Sequence, residues 1–262
     1  MTALLNIENL IMEFGGLRAI DDIDLEVGLG QIVAVIGPNG AGKTTLFNCI
    51  TGMYHPTRGN IWITAPSQPP KNIIGLKPNQ VTESGLARTF QNIRLFANMT
   101  VLENVMVGFH CRTTSGIFSA IFRNKHFKTE EQQVIHNSYH LLKEVGLATY
   151  SSVMAKNLPY AAQRRLEIAR ALATQPLLLL LDEPAAGMNH QETSDLDKLI
   201  VQIRNQYHLS ILIIEHDMKL VMNISDKIYV LDYGKKIAEG SPGEIQKNPA
   251  VIRAYLGEDI TD

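Results

Sequence analysis

Three stretches of this 262-residue chain are apolar almost without a break: Gln31–Ile36, Leu177–Leu181 and Ser210–Ile214. Runs of that length suit strands buried on both faces of a sheet. By periodicity alone, Leu177–Leu181 fits a core helix equally well. The abrupt Asp182-Glu183 that follows, with Pro184 forbidding helical continuation, makes it a strand. Near the start the pattern is different. An extended opening over Leu4–Phe14 leads to Ala19–Val27, which alternates apolar and polar with period two and predicts a half-buried strand. Pro56–Asn60 reads as a turn before a strand at Ile61–Thr64, and Ala65–Pro78, with four of the chain's 11 prolines, as a surface loop. From about Val101 to Tyr150 strand signals vanish and helical spacing takes over, as in Tyr139, Leu142, Val145 and Leu147. β/α alternation then resumes: after the leucine run come a helix over Glu192–Tyr207 and the strand Ser210–Ile214. A hairpin (Ile228–Leu231, Lys235–Ala238) turning at Asp232-Tyr233-Gly234 and a short helix near Pro249–Leu256 close the chain. There is no internal repeat. The order predicts an α/β protein with a mostly parallel sheet, helices on both faces and an inserted helical lobe.

Composition narrows the class. A hydrophobic fraction of 45% supplies one large core or two closely packed lobes. A formal charge of −2 offers no basic field to recruit a phosphate backbone, which argues against a nucleic-acid partner. No segment reaches the ~18–20 consecutive apolar residues of a membrane span. The opening Met1–Asn6 lacks the basic region and apolar core of a secretory signal, so a cytoplasmic protein is expected. Cys49 and Cys111 are expected to be small packing residues rather than halves of a disulfide.

The chemistry sits at the ends of the apolar runs. After Gln31–Ile36 comes Gly37-Pro38-Asn39-Gly40-Ala41-Gly42-Lys43-Thr44, which fits G-x-x-x-x-G-K-[ST], and then a helix-like run from Thr44 and Thr45 to Ile50. Glycines at 37, 40 and 42 permit conformations that a Cβ forbids, so successive N–H groups can cradle phosphates. Lys43 brings a cation to the β- and γ-oxygens, Thr44 offers a hydroxyl to Mg²⁺, and the helix dipole adds to the anion site. Strand, loop and helix together point to a nucleoside triphosphate. At the end of the leucine run, Asp182 is placed to hold the Mg²⁺ shell and Glu183 to take a proton from the attacking water. Gln91, in Ala87–Asn92, is positioned to complete the metal–water shell, and His216, after Ile211–Glu215, to contact the γ-phosphate. On spacing alone a lone histidine at a strand end is more often a structural residue, and a lone glutamine more often a surface one.

Taken together the set resembles the ATP-binding subunits of ABC transporters along essentially the whole chain. In the order that family shows, the phosphate loop is followed by a glutamine loop at Gln91, a helical lobe over about Asn92–Lys156, a signature segment at Leu158–Gln163, the acidic strand Leu178–Glu183, a turn at Pro184–Asn189 and a switch histidine, His216. The resemblance implies a P-loop NTPase core formed by residues 1–91 and 175–262, with an N-terminal antiparallel β subdomain and a helical subdomain over 92–174. It implies Phe14 as the aromatic that stacks on adenine, the alternative being a buried strand phenylalanine. It also implies ATP and Mg²⁺ as cofactors, and two such subunits sandwiching two ATP molecules head to tail so that each signature completes the other's site. Longer strings, Thr89–Phe96, Arg164–Arg170, Glu183–Asn189, Glu215–Met218, Ser115–Phe118 and Ile252–Gly257, are similar to the ATPases of branched-chain amino-acid importers.

That subgroup implies a second ATPase subunit, two integral membrane permease subunits, an extracytoplasmic binding protein acting indirectly, and a place on the inner face of the cell membrane. Leu95, Phe96 and Met99 form a candidate groove for a permease helix, with ordinary core packing the competing reading. The apolar-then-basic stretch Ile117–Lys128 is either a membrane- or partner-facing element or a helix of the insert. ATPases for urea or for lipid and lipopolysaccharide, soluble ABC proteins acting on DNA or ribosomes, and a nucleotide-binding regulator without turnover are the competing functions. One departure stands out. Where the family usually carries Leu-Ser-Gly-Gly-Gln, this chain has Leu158-Pro159-Tyr160-Ala161-Ala162. Pro159 supplies neither hydroxyl nor N–H, although proline is tolerated in a helix's first turn. The expectation is a working phosphate loop in this chain and a weakened site on its partner.

Overall fold

The computed structural model describes residues 3–112 and 125–256. They fall into two units, which divide between Arg88 and Thr89 and between Pro176 and Leu177: the described residues before 89 and after 176 form one, those between form the other. The division therefore lies at 88/89 and 176/177, against the 91/92 and 174/175 read from the family resemblance.

The first unit holds two sheets. Strands β1 (Ala3–Phe14), β2 (Leu17–Gly28), β4 (Arg58–Ile63) and β5 (Lys71–Asn72) form an antiparallel sheet in the order β2-β1-β4-β5. Alternation in β2 buries Ile23, Leu25 and Val27 while Asp24 and Glu26 face outward, as period two requires. The second sheet adds β3 (Ile32–Ile36), β6 (Leu86–Arg88), β7 (Leu178–Asp182), β8 (Ser210–Ile214), β9 (Lys227–Asp232) and β10 (Lys235–Gly240) in the order β10-β9-β3-β8-β7-β6. Only the β9–β10 hairpin is antiparallel; the other pairings are parallel. Every residue of β3, β7 and β8 is buried, which is why these strands read as unbroken apolar runs. Helices α1 (Lys43–Ile50), α2 (Pro78–Glu83), α6 (His190–Tyr207), α7 (Met218–Ile224), α8 (Pro242–Ile245) and α9 (Pro249–Leu256) complete the unit.

Two local readings need correction. Strand β4 begins at Arg58, inside the expected turn, because Gly59 at φ +98° lies against the Glu8 and Asn9 carbonyls of β1, an approach a side chain would block. The proline-rich Ala65–Pro78 is not all loop: Lys71–Asn72 pairs with β4, and Pro78 opens α2, where its missing N–H costs nothing. Ile73 and Val81, both buried, anchor that segment to the core.

The second unit is helical among its described residues, with α3 (Val101–Phe109), α4 (Lys125–Glu144) and α5 (Tyr160–Leu172). Thr100 and Glu103 cap α3 reciprocally, the Thr100 hydroxyl accepting from the Glu103 N–H at 3.2 Å and the Glu103 carboxylate from the Thr100 N–H at 2.7 Å. Leu142, Val145 and Leu147 are buried as their spacing predicts, whereas Tyr139 is exposed. Residues 113–124 of the apolar-then-basic stretch, and the side chains through Lys128, lie outside the described residues. Cys49 is buried, its thiol pushed up to about 12 by desolvation. Cys111 is exposed, at the turn that ends α3, and is not the packing residue expected. Among the described residues no helix is long and apolar enough to cross a membrane.

Candidate functional site

The topology gathers the chemistry. β3, β8 and β7 are parallel neighbours, so the loop after β3, the acids ending β7 and the histidine after β8 all emerge at one edge of the sheet. The phosphate loop keeps its shape through glycine. Gly42 adopts φ +100°, and a Cβ there would stand 2.5 Å from the Ala19 carbonyl. Gly40, at φ +82°, has nothing within 4 Å of where a Cβ would point. Backbone bonds tie the loop down: the Ala41 N–H donates to the Pro38 carbonyl at 3.2 Å and the Gly234 N–H to the Ala41 carbonyl at 3.2 Å. Helix α1 begins directly after Gly42, so its unpaired N–H groups and dipole head face the loop.

Lys43 is folded back on its own loop. It is 6% exposed, and its ammonium donates to the Gly37 carbonyl at 2.7 Å and the Pro38 carbonyl at 2.9 Å. Burial lowers its pKa, and the nearby charges of Glu183 and Asp182 oppose that shift. Thr44 is exposed and Thr45 half-buried on the first turn of α1.

Asp182 is buried at the end of β7 and takes an Arg88 Nη at 2.7 Å. Glu183 follows in the left-handed region at φ +46°, a conformation a glutamate holds only when its surroundings impose it. Its N–H donates to the Ile214 carbonyl at 2.9 Å, extending the β7–β8 ladder by one residue. Its side chain meets His216 Nε2 at 2.8 Å, and since a carboxylate only accepts, the imidazole N–H donates. His216 is exposed. Beneath the pair lies Glu215, buried, accepting from the N–H groups of Ala185 at 2.7 Å, His216 at 3.0 Å and Asp217 at 3.4 Å. Desolvation raises its pKa against the pull of those donors. Glu215 thus holds both the turn after Pro184 and the histidine. Nothing in the sequence pattern singles out Glu215 or Arg88: each is a charge at the end of an apolar run, and Ala185, Asp182 and Asn48, which they meet, lie 30 or more residues away.

Phe14 is 42% exposed and meets the Tyr54 ring edge-on at 5.3 Å between centroids. It is therefore not the buried strand phenylalanine of the competing reading. The remaining two features belong to the second unit. The exposed Gln91 has its main chain gripped by Arg164, which donates to the carbonyls of Phe90, at 2.6 Å, and Gln91. Glu167 accepts from the N–H groups of Phe90 and Arg94, each at 3.3 Å. Phe96 and Met99 are exposed rather than packed in a core. The signature segment begins α5 with Pro159 as N-cap, just outside the helix rather than in its first turn. No side chain caps that end. Leu158 is buried, Tyr160 exposed, and Ala161 and Ala162 half-buried.

Comparison with known proteins decides the family. The ABC transporter profile matches residues 20–186, the span from β2 through the turn after Glu183. The chain belongs to the ABC transporter family. A second profile, of branched-chain amino acid ATP-binding cassette transporters, matches residues 235–261. The high-affinity branched-chain amino acid transport ATP-binding protein LivG of Escherichia coli K12 is 48% identical over 97% of this chain and 98% of its own length. BraF of Pseudomonas aeruginosa, named for the same transport, is 46% identical over the same shares. Among solved structures, the ADP conformation of an ATP-binding cassette of an ABC transporter superposes with a TM-score of 0.83 at 31% identity, covering 98% of this chain and all of that one. The chain is thus a P-loop ATPase of the transporter type, as its sequence implied.

Proposed function

We propose that this ABC ATPase powers import of branched-chain amino acids, hydrolysing Mg·ATP on the cytoplasmic face of a cell membrane. The observation that carries the hydrolytic reading is the contact of Glu183 with His216 at the sheet edge that also bears the phosphate loop. The near-full-length likeness to LivG and BraF supports the substrate. Water attacks the γ-phosphorus and the bond to the β–γ bridging oxygen breaks, releasing ADP. Glu183 takes the water's proton, and His216 orients its carboxylate and reaches the γ-phosphate. Lys43 leaves the Gly37 and Pro38 carbonyls for the β- and γ-oxygens, and the loop N–H groups spread the remaining charge. Phe14, an exposed aromatic, stacks on adenine.

The oxygen donors of Thr44 and Asp182 would suit Mg²⁺, a hard cation bound by few protein ligands alongside substrate phosphates. When bound, the metal neutralises developing charge on the phosphoryl oxygens. A second ATPase subunit, two integral membrane permeases and, indirectly, an extracytoplasmic binding protein complete the machine; nucleic acid has no part. Leu158-Pro159-Tyr160-Ala161-Ala162 faces the partner's nucleotide, and the missing hydroxyl at Pro159 weakens that site.

The test is nucleotide binding by the purified chain with and without Mg²⁺, then ATPase activity after reconstitution with the permeases. Metal-dependent ATP binding, with turnover raised by a branched-chain amino acid and its binding protein, is expected. Stimulation by an unrelated solute instead would overturn the substrate, and absence of ATP binding would overturn the whole reading.

A further inference from the structure

Arg88 is the last residue of β6 and pairs with Leu180 of β7. In a parallel pair that register puts its side chain on the same sheet face as Leu180 and, one pleat on, Asp182. The guanidinium reaches two places at once. One terminal nitrogen lies 2.7 Å from Asp182 Oδ2. The other donates to Asn48 Oδ1 at 2.7 Å and Thr51 Oγ1 at 3.1 Å, both on α1. The Arg88 side chain is only 6% exposed, and its Cζ lies 5.5 Å from the centre of the Phe47 ring, again on α1. A planar fork held at this many points fixes what it touches, where the ammonium of a lysine would act as a movable point charge. Stability alone is a weak reason for a buried ion pair, since a well-packed apolar pair often serves as well. Here one end of the pair is the acid proposed to stand beside the metal, and the other is the helix that begins at the phosphate loop.

We infer that Arg88 is a positioning residue for the metal–nucleotide complex: it sets the orientation of the Asp182 carboxylate and its separation from α1. The inference rests on the reading of Asp182 as the magnesium-side acid. Partners that orient metal-site ligands typically matter 10–100-fold in metal affinity. The test compares wild type, Arg88→Met, Arg88→Lys and Asp182→Asn in the full chain. ATP affinity is measured by calorimetry with Mg²⁺ and with chelator, and Mn²⁺ affinity in the presence of ATP by electron paramagnetic resonance.

Arg88→Met should leave metal-free ATP affinity within about twofold and weaken Mn²⁺ about tenfold, with Arg88→Lys in between and no further loss when Arg88→Met is added to Asp182→Asn. Equal loss of metal-free and metal-bound affinity would mark Arg88 as merely structural and overturn the inference. So would an unchanged Mn²⁺ affinity. If Arg88→Met does not fold, Arg88→Lys decides: weakened Mn²⁺ binding supports the inference and unchanged binding overturns it. A wild type that binds ATP without any metal dependence would instead remove the underlying reading of Asp182.

Discussion

Two helices of this protein start at segments assigned to phosphate, and they start very differently. Helix α1 follows Gly42 in a left-handed conformation, with Gly40 open to its surroundings and Lys43 seated in the loop. Helix α5 follows Pro159, with no side-chain cap, and continues through Tyr160, Ala161 and Ala162. The first start offers N–H groups, a cation and a hydroxyl. The second has a proline that lacks both hydroxyl and N–H, and a bulky ring beside it. On the proposed reading the two phosphate-facing surfaces of one ABC subunit diverge: the start of α1 keeps its donors, while the start of α5 lacks the hydroxyl that would serve the partner's nucleotide.

The largest test of that contrast removes the proposed base. Glu183→Gln should bind ATP normally yet hydrolyse it at roughly 10⁻²–10⁻⁴ of the wild-type rate, measured by phosphate release from the assembled transporter. Near-normal hydrolysis would mean that the partner's site carries the turnover. Lys43→Ala should weaken ATP binding about 10–150-fold, the loss of one charge-assisted hydrogen bond of about 1.5–3 kcal/mol, read by calorimetry. At the other helix the change is a repair. Pro159→Ser combined with Ala161→Gly should raise hydrolysis at the partner's site by about tenfold if one such bond of about 1.5 kcal/mol is restored, and with it the turnover of the complex; a flat or lower rate would remove the asymmetry.

The smallest effect concerns stability. Desolvation, then the charges of Asp217 and Glu215, push the Asp197 carboxyl of α6 up to about 6. Its folded pKa lies above the ordinary carboxylate value of 3.8, so the folded state binds its proton more tightly. Stability from this group is therefore present below the unfolded value and lost as pH rises through about 6. Asp197→Asn, which mimics the protonated acid, should raise the melting temperature at pH 8 by a few degrees at most, and by less at pH 5. A larger gain at pH 5 than at pH 8 would contradict the sign.

How much of this was legible depended on whether a signal was local. The central strands were readable because burial on both faces leaves runs such as Leu178–Leu181 with no polar interruption. The phosphate loop and the acid pair were readable because each ends such a run. Arg88 and Glu215 were not, because their meaning lies in partners 94 and 30 residues away. Strand β5 and helix α2 hid behind prolines, since two well-placed apolar residues, Ile73 and Val81, outweigh local loop composition. Cys111 misled for the opposite reason: a small apolar side chain carries no sign of which way it faces.

The Lys43 ammonium rests against the carbonyls of Gly37 and Pro38. A cation already satisfied by its own backbone is a poor trap for small anions. Chloride must break two short bonds and offers a single weak attraction in return. A triphosphate offers several charged oxygens together, enough to replace both bonds at once in the proposed site.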